Sequence, residues 1–371
     1  MASIREVRPG VFRIRVRVKD PATGQWGISS QTVEGTKRDA QKAGREMESA
    51  KDKGLLRAGR TPTVAAFAEL WLAGVKHSVA YESYRGYSVN VHRHIVPFLG
   101  ELRLKDLSTA HVHAFLGHLL EQGLSPSTVQ YVRAVLRMVL ERAVDDGLMP
   151  RNVVSKVKSP KIERREMLTL DEPQARLLIE QAAETRLTAP VVLGLMCGLR
   201  RGEICGLRWR DLDLEREEAS VVQTLQRQTG EGLVVQPTKS SGSQRSVSLP
   251  PSAVAHLRKW RGRQREERLA AGPAWRGGDH VCTTPTGGPL DPCGLSKSFR
   301  RLADSLDLPP VRFHDLRHTY AHLSRRAGVD FKLIQRALGH ATAAFTLDVY
   351  GHIGAGELKE AAATIDRALW G

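Results

Sequence analysis

Across residues 64–157 apolar side chains recur at a spacing of three to four positions. That is the period of an amphipathic helix rather than a strand, and sustained over this length it commits the middle of the chain to a helical bundle with a shared core. Phe67, Leu70 and Trp71 mark one helix, and Tyr84, Tyr87, Val91, His94 and Ile95 a second. A third follows Ser108 and Thr109. The fourth follows Ser125-Pro126-Ser127-Thr128, an N-cap with proline in the first turn, where a missing N–H costs nothing. Gly147 closes that helix. Tyr81, Tyr84, Arg85 and Tyr87 are candidates for ligand contact, although aromatics at helical spacing belong more often to a core. Asn152-Val153 follows the last helix as a local turn.

Basic, Pro-containing segments bracket the bundle, at 57–62 and at 156–165, and are read as linkers. They divide the chain into 1–58, 62–158 and 166–371. In the first segment Phe12, Ile14, Val16 and Val18 alternate with Arg13, Arg15, Arg17 and Lys19. Period-two alternation is a half-buried strand, here with four cations on one face. A turn at 20–24 leads to a second strand near 26–29, and 31–33 is a candidate third. A helix follows with Thr36 as N-cap and Asp39 as its capping-box partner, ending near Gly54. The expected head is a β-β-β-α module. Charged strand residues usually face solvent, but four cations in register without an acid suit a phosphate backbone, and a β-ribbon fits a major groove. The last segment reads as mainly helical with a β interlude at 218–249.

Charge narrows the partners. Fifty-six Lys and Arg against 40 Asp and Glu leave a net +16 over 371 residues, which suits a polyanion, nucleic acid first. The 41% hydrophobic content is that of a globular chain and excludes a disordered basic tail. No apolar run approaches the roughly 18 residues that cross a bilayer, and the first residues lack the apolar stretch of a signal peptide. The four cysteines show no C-x-x-C pair and are read as reduced thiols, in a cytoplasmic protein.

Four stretches of the last segment carry chemistry. In Gly198-Leu199-Arg200-Arg201-Gly202-Glu203 a glycine breaks an apolar helix and a new helix opens near Arg200, where free amides favour anions. Glu203 suits the dipole of that first turn, and its expected job is structural, orienting the helix or a neighbouring basic side chain. Lys239 opens a polar loop between two strands, as at a hairpin shoulder. In His314-Asp315-Leu316-Arg317-His318 the first and fourth residues share a helix face, while Leu316, Tyr320 and Leu323 form the buried one. Leu338-Gly339-His340 precedes Tyr350. His314 and His318 also have zinc-protease spacing, but Asp315 replaces the glutamate base and Arg317 would set a cation beside the metal. Arg201 and Arg208 are weaker candidates for phosphate contact.

Arg200, Lys239, His314, Arg317, His340 and Tyr350, in this order and spacing, resemble the tyrosine recombinase (phage integrase) family. The resemblance covers the whole chain: the head resembles an arm-site DNA-binding domain, the bundle a core-site binding domain, and 166–371 a mixed α+β catalytic domain. The expected fold class is thus multidomain and mainly α with small β elements. The resemblance implies that Tyr350 attacks the scissile phosphate and forms a 3′-phosphotyrosyl link. Arg200 and Arg317 clamp non-bridging oxygens, Lys239 is the general acid, His314 assists proton transfer from Tyr350, and His340 hydrogen-bonds the phosphate.

The chemistry stands on its own terms as well. Attack on an anionic phosphodiester needs its charge neutralised, and a tyrosine of ordinary pKa near 10 needs help to ionise. A covalent link conserves the phosphodiester energy, so no cofactor is expected, neither ATP nor metal. The implied partners are double-stranded attachment sites, core and arm, and a homotetramer on DNA. An excisionase or a host DNA-bending protein is a further partner of such enzymes. No membrane is expected, and the place of action is the nucleoid of a bacterial host. The competing reading is a DNA-binding regulator with a vestigial recombinase site.

Overall fold

The first three strands, β1 (Ser3–Arg8), β2 (Val11–Lys19) and β3 (Trp26–Glu34), form one antiparallel sheet in that order. They belong to a computed structural model that describes residues 2–19, 26–52, 61–162, 167–237 and 244–339. The alternation in β2 is realised as expected. Phe12, Ile14, Val16 and Val18 are buried while Arg13, Arg15 and Arg17 are exposed. Helix α1 (Lys37–Asp52) supplies Met47 to the buried face. Its capping box forms: the Thr36 amide donates to Asp39 Oδ2 at 2.9 Å and the Asp39 amide to Thr36 Oγ1 at 3.3 Å.

Two details differ from expectation. Residues 26–34 make one continuous strand instead of two, paired with β2 along its length from Trp26↔Lys19 to Glu34↔Val11. The remaining strand is β1, which lies before the alternating run. Registers Arg5↔Arg13, Arg15↔Ser30 and Arg17↔Ile28 place Arg5, Ser30 and Ile28 on the cationic face. Arg17 lies over the Trp26 ring, 5.5 Å from its centroid.

The bundle comprises α2 (Val64–Val75), α3 (Tyr81–Asn90), α4 (Val96–Leu99), α5 (Thr109–Glu121) and α6 (Pro126–Asp145), with a π-helical turn at Val91–Ile95 joining α3 to α4. On α6, Val129, Val132, Leu136, Val139, Leu140 and Ala143 are fully buried along one face. Each of the Val and Leu side chains among them contributes about 1.5–3 kcal/mol relative to exposure. Ser108 and Ser125 cap α5 and α6 as the sequence indicates. Tyr84 and Tyr87 pack against the core, and Leu70 is exposed. The segment after α6 folds back: Val153, Val154 and Val157 are buried, and Arg133 donates to the carbonyls of Val154 and Val157. The linker therefore starts later than residue 156. Asn152 donates to Arg137 O and to Glu141 Oε2, which holds that turn.

The chain divides into two compact units, Met1–Arg164 and Arg165–Gly371. In the second, α7 (Glu172–Ala182), α8 (Thr188–Cys197), α9 (Arg201–Gly206), α10 (Pro251–Ala271) and α11 (Pro292–Ser305) surround two small sheets. The strands are β4 (Leu212–Asp213), β5 (Glu218–Val221), β6 (Gln223–Gln228), β7 (Gly232–Pro237) and β8 (Arg245–Ser248). β6 pairs with β7, whereas β8 pairs with β5. The strands either side of the Lys239 segment thus belong to different sheets and are not the two arms of a hairpin. Apolar α8 runs through the core, and α9 lies so close to β6 that a Cβ on Gly206 would meet Leu225 N at 3.0 Å. Helices α12 (Asp315–Arg326) and α13 (Phe331–Leu338) complete the described part. The chain entering this unit is anchored at once: buried Leu170 donates its amide to Thr319 Oγ1 on α12 at 3.1 Å.

The four cysteines are free thiols, and no helix among the described residues is long and apolar enough to cross a membrane.

Candidate active site

Of the six residues singled out in the last segment, Arg200, His314 and Arg317 fall within the described residues. Lys239, His340 and Tyr350 lie outside them.

Arg200 owes its place to a glycine. Gly198 ends α8 in the left-handed region (φ +63°), and a Cβ there would meet Tyr320 Cδ1 at 2.6 Å and Leu338 Cδ2 at 2.9 Å. Only glycine meets both demands. The chain then turns through Leu199 into Arg200, which is extended and precedes the first turn of α9. The Arg200 amide donates to Glu203 Oε2 at 2.8 Å, and its guanidinium donates to Glu203 Oε1 at 2.9 Å and to Gly339 O at 3.1 Å. The Arg200 side chain is 36% exposed, so the guanidinium is held from behind while presenting an edge to solvent.

Glu203 is the hub of this arrangement. Its side chain is only 2% exposed, and besides Arg200 it accepts from Arg245 Nη1 and Nη2, each at 3.0 Å. Burial would raise its pKa, but the hydrogen bonds and charge of Arg245, with Arg200 behind, hold the carboxyl below its ordinary value. The structural role expected for Glu203 is realised, and the basic neighbours it orients are Arg200 and Arg245.

Arg317, on the first turn of α12, is 3% exposed. Its two terminal nitrogens donate to Gly198 O and Leu338 O. Arg200 and Arg317 are thereby brought together on one short stretch, the carbonyls of Leu338 and Gly339, where α13 ends. Gly339 there is left-handed (φ +61°), and the next residue is His340. A helix C-terminus concentrates unsatisfied carbonyls and partial negative charge, which is why guanidinium groups settle on it.

His314 stands at the N-terminal edge of α12 and is exposed. Asp315 fixes that edge by accepting from the Arg312 amide at 2.7 Å and from its guanidinium at 2.9 and 3.0 Å. Partial loss of hydration and then the cations Arg317, Arg312 and Arg200 lower the His314 pKa, so the imidazole is neutral near pH 7 and able to accept a proton. The His318 ring meets the His314 ring edge-on at 5.1 Å, and burial drives its pKa down to about 4. With Asp315 tied to Arg312, the general base that a zinc-protease reading requires is already engaged. Tyr320 is half-buried, packed beside Ala321, Ile334 and Leu338, and burial raises its pKa.

Among the weaker candidates, Arg208 is paired with Asp211 through hydrogen bonds of 2.7 and 2.8 Å, and Arg201 donates to Ser296 Oγ at 2.7 Å. Sequence reasoning missed Arg245 altogether. No local motif marks it, because its partners lie 42 and 92 residues away in the chain.

Residues 168–356 match the phage integrase family and residues 63–120 its N-terminal SAM-like domain. The chain is 29% identical to a "Tyrosine recombinase XerC-like" protein of Caldanaerobacter subterraneus subsp. tengcongensis over 294 positions, covering 74% of this chain and 73% of that protein. It is 24% identical to the ICEBs1 integrase of Bacillus subtilis (strain 168), over 99% of this chain and all of the relative. Among solved structures, the Tn1549 transposon integrase in complex with a circular intermediate DNA matches with a TM-score of 0.72 at 18% identity, over 82% of this chain and 99% of that one. A lambda integrase tetramer bound to a Holliday junction matches with a TM-score of 0.60 at 18% identity, over 95% and 98%. At such identities the structural likeness is one of fold.

Proposed function

The chain belongs to the phage integrase family, and on that premise we propose that it is a site-specific tyrosine recombinase that integrates and excises a phage or other mobile element. It cuts and rejoins DNA strands through a 3′-phosphotyrosyl intermediate and a Holliday junction. The observation that carries this reading is the convergence of Arg200 and Arg317 on the Leu338–Gly339 carbonyls with His314 beside them. Two cations and a neutral imidazole, from the N-terminal edges of α9 and α12, make a place for an anionic phosphate next to a proton acceptor.

In this reading the Tyr350 Oη attacks phosphorus and the bond to the 5′-oxygen breaks. Lys239 supplies the proton that the departing 5′-hydroxyl needs, and His314 accepts the tyrosyl proton. Arg200, Arg317 and His340 stabilise the non-bridging oxygens, whose negative charge grows as the five-coordinate phosphorus forms. Attack by the free 5′-hydroxyl of another strand reverses the step and reseals the backbone, so the energy of the broken bond is retained.

Double-stranded DNA is the substrate. The helical domain at 62–158 and the catalytic domain at 166–371 grip the core site, and the head at 1–58 binds an arm site through Arg13, Arg15, Arg17 and Lys19. Exposed arginines on one sheet face support that assignment. Exchange between two duplexes uses four active sites, hence a homotetramer on DNA. An excisionase or a host DNA-bending protein sets direction, and the bound protein is part of the bacterial nucleoid.

Covalent trapping tests the reading. Nicked fragments tiling the DNA beside the gene are mixed, with EDTA present, with wild-type protein and with Tyr350→Phe. A protein–DNA adduct with wild type alone is expected. Binding without an adduct in either lane would leave a DNA-binding regulator. An adduct with Tyr350→Phe would move the nucleophile to Tyr320.

A further inference from the structure

We infer that Arg245 is a positioning residue for strand cleavage, acting through Glu203 on Arg200 and through the end of α13 on the chain that enters His340. The inference rests on the recombinase reading above.

The geometry is specific. Arg245 opens β8, and its side chain is 7% exposed. It grips both oxygens of Glu203 at 3.0 Å with its two terminal nitrogens and donates Nε to Ala337 O at 2.8 Å. Together with Arg200 on Gly339 O and Arg317 on Leu338 O, three guanidinium groups hold three successive carbonyls at the end of one helix. Those guanidinium groups come from β8, the N-terminal edge of α9 and α12. Arg200 and Arg317 are the pair assigned to the phosphate, and Arg245 holds both oxygens of the Glu203 carboxylate that orients Arg200. Gly339 is shaped to this contact as well as to its own turn. A Cβ there would meet Arg245 Cδ at 3.0 Å and Nε and Nη1 at 3.2 Å, in a backbone conformation that L residues rarely adopt. A planar fork satisfying three acceptors in two directions is what arginine provides and lysine does not.

A buried guanidinium that merely stabilised the fold would, when removed, lower melting temperature and leave the chemistry of the folded fraction alone. A positioning residue changes the rate of the folded enzyme at saturating DNA. The experiment is single-turnover adduct formation on the nicked fragment that wild-type protein links, across a range of protein concentrations and below the melting temperature of every variant. Arg245→Met should lower the saturating rate at least tenfold while the half-saturating concentration changes less than threefold. Arg245→Lys keeps the charge opposite Glu203 and guards against a variant that fails to fold. It should recover most of the lost melting temperature but not the rate. Gly339→Ala, which pushes on the same guanidinium from the other side, should slow cleavage too. Gly339→Ala also strains the left-handed turn whose carbonyl Arg200 holds, so it reports on the end of α13 as a whole and Arg245→Met on the guanidinium contact.

A saturating rate within twofold of wild type in Arg245→Met overturns the inference, as does full recovery of rate in Arg245→Lys. Losses that lie wholly in DNA affinity overturn it too. Absence of an adduct with wild-type protein overturns the recombinase reading and this inference with it, whereas a wild-type adduct beside an unaffected Arg245→Met overturns this inference alone.

Discussion

Two groups of arginines in this molecule do opposite work with the same side chain. On the N-terminal sheet, Arg13, Arg15 and Arg17 project from alternate positions of one strand into solvent, their stems rooted opposite a small apolar core. In the second unit, Arg317 and Arg245 are buried and Arg200 is partly so, and each spends its donors on carbonyls or on Glu203. The exposed row is adaptable and screened by salt. The interior set is screened far less and is costly to disturb, because removing one partner strands a buried acceptor. Charge alone therefore says little about role. In the proposed reading, what separates binding from chemistry is whether the guanidinium is already held when the phosphate arrives.

The largest effect that could break this contrast is at Arg317. Arg317→Ala should cut adduct formation by about 10²–10³-fold, the loss typical of one preorganised donor. It should leave the salt dependence of DNA binding within one unit of the wild-type slope. A slope change as large as that from the head would erase the distinction.

The exposed row sharpens it from the other side. Arg13, Arg15 and Arg17 changed together to Ala should flatten the slope of log K against log salt by about 3 on arm-site DNA, near 0.9 for each phosphate released. Cleavage of an isolated core fragment should stay within about twofold of wild type. An unchanged slope, measured by titration from 50 to 200 mM salt, would leave the sheet face without a phosphate partner.

The smallest effect is on stability against pH. His318 in the folded chain is held down to about 4, while in the unfolded chain it titrates near 6.5. Below about pH 6.5 the unfolded state gains the proton first, so stability is full above that pH and falls as pH drops toward 4. Glu203 and Asp315, both depressed by arginine partners against the effect of burial, extend the loss below the ordinary carboxylate range. The melting temperature of the catalytic unit should thus be flat near neutrality and decline from about pH 6.5 downward. His318→Asn should flatten the first part of that decline. A decline beginning only below pH 4 would reassign it to the carboxylates.

Elements with strong local periodicity were legible in the sequence. The alternation in β2, the capping pair at Thr36, the N-cap at Ser125, the helix start after Ser108 and the apolar face of α6 all sit where pattern reading puts them. β1 was not, because among its six residues only Ile4 is even partly buried and nothing alternates. β3 reads as two pieces because Ser29, Ser30 and Gln31 interrupt its apolar residues, while long pairing with β2 makes it continuous. The pairing of β7 with β6 and of β8 with β5 is a tertiary choice that no local spacing encodes. At the site, Arg200, His314 and Arg317 announce themselves through short motifs. Arg245 does not, since one arginine among 56 basic residues acquires its meaning only from Glu203 and Ala337, which the fold brings to it.

The hydrogen bond from Leu170 to Thr319 has a mechanical side. Thr319 also donates to the Asp315 carbonyl at 3.0 Å, so the first buried residue after the basic linker is tied to the opening turn of α12. That turn carries Arg317 and follows His314. A pull on the chain at Leu170 would reach α12 two residues from the buried Arg317 guanidinium. Leu170 is in this sense where a tendon inserts, and the helix it pulls on is the one that carries Arg317.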